Sequence, residues 1–96
     1  MTGITAPARP GGRTQARAML EGLPAELAGA TIVIDFGQMD VVTPSFVDEL
    51  VLIALAERNA AGLTLKNVPE RAHALATRSA QARQVTDRIQ IQLRAS

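Results

Sequence analysis

Cysteine, tryptophan and tyrosine are absent from this chain, and Phe36 and Phe46 are its only aromatic residues. Without cysteine there is no disulfide, no thiol nucleophile and no thiolate metal site. Without an aromatic surface, bases and sugars have nothing to stack on, which argues against single-stranded nucleic-acid binding. No apolar run reaches the length of a membrane-spanning helix, and residues 1–12 lack the apolar centre of a signal peptide. The expected setting is therefore cytoplasmic, with no membrane association. Residues 18–57 also lack lysine and arginine altogether.

What is present suits one small folded domain. The chain has 96 residues, is 47% hydrophobic and carries a net charge of +1. A chain of this size buries about 60–65% of its unfolded surface. Its core has to come from Leu, Ile, Val and Ala. The charge is divided along the sequence. Glu21, Glu26, Asp35, Asp40, Asp48, Glu49 and Glu57 occupy the middle. Arg58, Lys66, Arg71, Arg78, Arg83, Arg88 and Arg94 follow, against only Glu70 and Asp87. Two readings are open: solvated faces that pair across the fold, or an acidic partner surface around residues 37–49.

Residues 1–12 are rich in proline and glycine and read as a flexible tail ahead of a single domain at 13–96. Ala16, Met19, Leu20 and Leu23 mark one face of a helix over 13–23, ended by Gly22 and Pro24. Ala25 to Ala28 can add another turn. Thr31 to Phe36 is a nearly continuous apolar run, as in strands covered on both faces. A helix over 44–60 starts with Thr43 as cap and Pro44 at the first position, where a missing N–H costs nothing. Its centre, Leu50 to Ala56, has almost no polar face, so it is either covered on most sides or offers a patch to a second copy or another protein. Gly62 is its expected stop.

A strand at 62–66 follows. Asn67 then reads as a cap, with Glu70 reaching back, for a helix over 69–84 whose Arg71, Arg78 and Arg83 are solvated. Residues 88–93 alternate apolar and polar, as in a half-exposed edge strand. Strands alternating with helices favour parallel pairing. The expected fold is a small α/β domain of two or three layers, with a mostly parallel sheet of 31–36, 62–66 and 88–93.

The segments Ile34-Asp-Phe-Gly37, Thr43-Pro-Ser-Phe-Val-Asp-Glu-Leu50 and Gly62-Leu-Thr-Leu-Lys-Asn67 resemble the STAS-like domain of unknown function. That family is a shortened relative of the STAS domain, the sulfate transporter and anti-sigma factor antagonist domain. The resemblance covers roughly residues 13–83, and Ser45 to Glu49 is its specific part. It implies a non-enzymatic regulatory module that binds a histidine-kinase-like ATPase or anti-sigma-type kinase. In the antagonists, an Asp-Ser-Ser-Gly segment opens the equivalent helix and its second serine is phosphorylated. Ser45 takes that position here, with Thr43 as second choice; Thr43, Pro44 and Phe46 replace the flanking Asp, Ser and Gly. The antiparallel edge strand that opens a full STAS domain has no counterpart in this reading. The implied partner surface is Asp40, Thr43, Ser45, Phe46, Asp48 and Glu49.

Each site residue also has a plainer reading. Ser45 or Thr43 can simply bond a free N–H at the helix start. Asp35 and Asp40 flank the loop where ligands of α/β sheets bind, and with Asp48 and Glu49 they suggest Mg²⁺, yet no spacing motif accompanies them. A Ser45–His73–Asp35 triad lacks the Gly-x-Ser-x-Gly elbow, so hydrolase chemistry is not expected. The arginines of the last third carry no nucleic-acid recognition signature. No cofactor is expected. The alternatives to a regulatory module are a self-associating domain without a switch and a small-ligand or metal site at the strand ends.

Overall fold

In a computed structural model, which describes residues 2–5, 11–23, 27–37, 39 and 42–94, strands and helices alternate along the whole chain. The order is β1 (Thr2–Thr5), α1 (Arg13–Leu20), β2 (Thr31–Asp35), α2 (Pro44–Val51), β3 (Gly62–Val68), α3 (Glu70–Ala82) and β4 (Ile89–Leu93). Spatial order follows sequence order, β1-β2-β3-β4, and every pairing is parallel. This is an α/β domain, as the alternation predicts.

Among the described residues the sheet is covered on one face only. Ile32, Ile34, Leu63 and Leu65 are buried beneath the helices, while their neighbours Thr31, Val33, Asp35 and Thr64 are half-buried on the opposite face. One sense of crossover, repeated between adjacent strands, lays all three helices on the same side. There α2 packs between α1 and α3. The fold thus has two layers, and the apolar run of β2 does not reflect cover on both faces.

Residues 2–5 correct the expectation of a flexible tail. They form β1, which runs parallel to β2 with Ile4 opposite Ile34. Partly buried Ile4 packs against the core. The sheet therefore does open with an edge strand, and it is parallel rather than antiparallel. Residues 6–10 and the expected turn at 25–26 lie outside the described residues.

The long apolar helix is the centre of the core. After α2 the backbone widens into a π turn, Leu52–Glu57, in which Arg58 N–H donates to Ile53 O at 2.9 Å. The wider turn holds Ile53, Ala54 and Leu55 all inside while Glu57 reaches the surface. Leu52 is half-buried and Ala56 exposed, so most of this helix is covered within the domain, the first of the two expected alternatives. Asn59, with φ of 55°, supplies the left-handed residue after the helix, not Gly62, which instead begins β3. Asn67 is not a helix cap either. It lies within β3 with φ of 54°, where the pairing with β4 skips from Leu65–Ile91 to Val68–Leu93. Pro69 takes the capping position of α3.

Candidate functional site

In a parallel sheet each strand runs into the helix that follows it, so helix starts gather at the carboxyl edge. Thr43 and Ser45 are there. Thr43 caps α2 as expected: its Oγ1 accepts from Phe46 N–H at 3.2 Å. The same hydroxyl donates to Gly11 O at 2.7 Å, tying the start of α2 to the approach to α1. Ser45, two residues on, is exposed, and its hydroxyl has no hydrogen-bond partner among the described residues. The capping work therefore belongs to Thr43.

Phe46 is fully buried and meets Phe36 edge to face, with ring centres 6.2 Å apart. It is a core residue, which corrects its assignment to a partner surface. Asp48 and Glu49 are also committed inside the molecule. Arg13 Nη1 lies 2.9 Å from both carboxylates. Arg17 donates to Glu49 at 2.7 Å and to Glu57 at 2.8 Å. Arg83 Nη2 reaches Asp48 at 2.8 Å and Ser79 Oγ donates to it at 2.7 Å. Arg83 is accordingly not a solvated side chain. The acidic middle of the sequence pairs with basic ends across the fold.

These contacts set the local electrostatics. The guanidinium of Arg83 holds the Asp48 carboxyl down at about 2, helped by Ser79 and Arg13 and opposed by partial burial. Arg17 lowers Glu57 and has its own titration raised, first by Glu57 and then by Glu49. Glu49 is only 5% exposed, a buried charge held by two arginines.

Asp35 closes β2 at the same edge. Its Oδ1 accepts from Asn67 Nδ2 and from Gly37 N–H, both at 2.8 Å, and these bonds, in that order, hold its pKa below the ordinary aspartate value. A side chain at Gly37 would bring a Cβ to 3.1 Å from that oxygen. Arg94 completes the edge, donating from Nη2 to Phe36 O at 2.7 Å and to Met39 O at 2.9 Å. Neither Asn67 nor Arg94 stands out as a site residue in the sequence. Only the register of β3 and β4 brings them to the loop after β2.

No family model, curated protein or solved structure matches the chain. The site is therefore read on its own geometry. Asp35 is engaged by Asn67 and Gly37, and no hydrogen bond joins His73 to Ser45 or Asp35 among the described residues. The triad is not assembled. Asp35 is bonded to Asn67 and Gly37, Asp48 and Glu49 are paired with arginines, and no group of three or more His, Asp or Glu residues able to hold a metal occurs among the described residues. Asp40 lies outside the described residues. Of the described residues singled out for a partner, Ser45 is the exposed one. No helix among the described residues is long and apolar enough to cross a membrane.

Proposed function

We propose that this chain is a non-enzymatic cytoplasmic regulatory module that binds a kinase or ATPase-type protein partner at the carboxyl edge of its sheet, with Ser45 as the regulated hydroxyl. The observation that carries the reading is the state of Ser45. It is an exposed hydroxyl in the first turn of α2, with no structural task, beside a threonine that already caps the helix. A kinase can reach it without unfolding anything.

The consequence of modification follows from helix geometry. Residues three and four positions apart share a helix face, so Asp48 and Glu49 lie beneath Ser45. A phosphate there brings nearly two negative charges. The positive helix end tolerates them, while the two carboxylates repel them. Arg13, half-exposed and already bridging Asp48 and Glu49, is the cation drawn into the new balance. The expected result is a changed contact between α1 and α2 on the side where the partner binds.

The test is phosphorylation in vitro. Incubation with ATP and a kinase encoded beside this chain should add one phosphate by intact mass, and Ser45→Ala should abolish it. Phosphate on another residue, or none from a kinase shown to be active, removes Ser45 from the mechanism.

A further inference from the structure

Both edges of the sheet are open among the described residues, but they are not alike. β1 is four residues long, contains Gly3 and offers one large apolar side chain, Ile4. On β4, Ile89, Ile91 and Leu93 fall on the helix side of the sheet and none is fully covered; Leu93 is 55% exposed. Gln90 and Gln92 are exposed on the other side. Edges are normally blunted by charge, proline or a bulge. Ile89–Leu93 has no charge and no proline, and the extra residue of the β3–β4 irregularity lies on the β3 strand.

The residue order of this edge is complementary to itself. An antiparallel pairing of β4 with its own copy, centred on Ile91, sets Ile91 against Ile91, Ile89 against Leu93 and Gln90 against Gln92. Every apolar pair then lies on the helix side and every glutamine pair on the open side. A shift by one residue sets glutamine against apolar residue at every position. Directly opposed side chains are the stabilising unit of such a pair. The flanking arginines, which would oppose each other across the axis, are turned back into their own domain. Arg88 donates to Leu55 O at 2.7 Å and to Ala60 O at 3.3 Å, and Arg94 to the carbonyls of Phe36 and Met39.

We propose that β4 is a dimerisation edge, which pairs antiparallel with β4 of a second copy of this chain so that one sheet runs through both copies. The pairing is two-fold and closed, so it consumes both β4 edges and leaves the short β1 strands at the two ends of the joined sheet. It is independent of Ser45 and its modification.

Light scattering on the full chain over a dilution series tests it. The mass should rise from 10.1 kDa toward twice that value as concentration increases. Leu93→Lys, at an exposed position, should raise the dissociation constant at least about tenfold. Its circular dichroism and melting at high dilution should match the wild type. The absence of native cysteine gives a register test. Gln90→Cys and Gln92→Cys chains, mixed and oxidised, should form mainly the mixed disulfide, because those two positions face each other. A chain that stays at 10.1 kDa to millimolar concentration overturns the proposal. So does a dimer that Leu93→Lys leaves intact, or one in which each cysteine variant links chiefly to itself.

Discussion

Thr43 and Ser45 are two residues apart and have opposite relations to the fold. The Thr43 hydroxyl accepts from Phe46 N–H and donates to Gly11 O, so it serves two segments at once. Thr43→Ala should cost about 1 kcal/mol, the usual worth of a lost cap. Ser45→Ala removes no hydrogen bond among the described residues and should stay within about 0.5 kcal/mol of the wild type. Parallel urea melts decide it, and a larger loss at Ser45 would reverse the assignment of the cap. Asp48 gives a pH signature. Its carboxyl is held at about 2 in the folded chain, well below the ordinary aspartate range. A depressed folded value means stability that is complete above about pH 4 and lost as the pH falls toward 2. The group is partly solvated, so screening reduces the amount to about 1 kcal/mol. The wild type should lose that much more than Asp48→Asn over this interval, and equal acid sensitivity would mean the Arg83 contact adds nothing.

At the scale of elements, the helices are joined by charge as much as by packing. Arg17 links α1 to Glu49 on α2 and to Glu57 at the end of the π turn. Arg17→Ala leaves the buried Glu49 with Arg13 alone and should lower stability, though by less than breaking a wholly buried pair because Arg17 itself is half-exposed. A double-mutant cycle with Glu49→Gln measures the coupling; additive losses would show that the pair contributes nothing of its own. Pairing of the charged segments was one reading of the sequence, but the particular partners were not legible, because they are 32 to 40 residues apart and meet only once α1 lies beside α2. What was legible is local. Thr43-Pro44 marks the start of α2 because capping and the fixed φ of proline act within one turn. Phe46 and Asn67 were misread for the same reason. An apolar residue at a helix start looks the same whether a partner or Phe36 covers it. Asn67 has the spacing of a capping box, but the β3–β4 irregularity claims it for a left-handed position and turns its amide to Asp35. Arg94 escapes notice because its role rests on the carbonyls of a loop 55 to 58 residues away.

The whole molecule is a single layer of helices on a single layer of strands, and its weakest boundary is where the sheet begins. Alternation of strand and helix announced parallel pairing, but not β1, since Thr-Gly-Ile-Thr has one large apolar residue and stands near a run rich in proline and glycine. Its strand character comes from β2, whose edge would otherwise be open on that side. Removing residues 1–5 should therefore do more than trim a tail. It uncovers the β2 edge and strips Ile4 from the core margin. Partial loss of one such side chain and its ladder amounts to about 1–2 kcal/mol. In a domain of this size, that lowers the melting temperature by roughly 5–15 °C. The newly exposed edge, Thr31–Asp35, is rich in β-branched residues and should raise aggregation on heating. Thermal unfolding of the full and shortened chains, followed by circular dichroism and light scattering, checks both effects. A shortened chain that melts with the full one and stays clear would return residues 2–5 to the status of a tail. A drop of the expected size would show that an edge strand with one isoleucine is held by the register it completes.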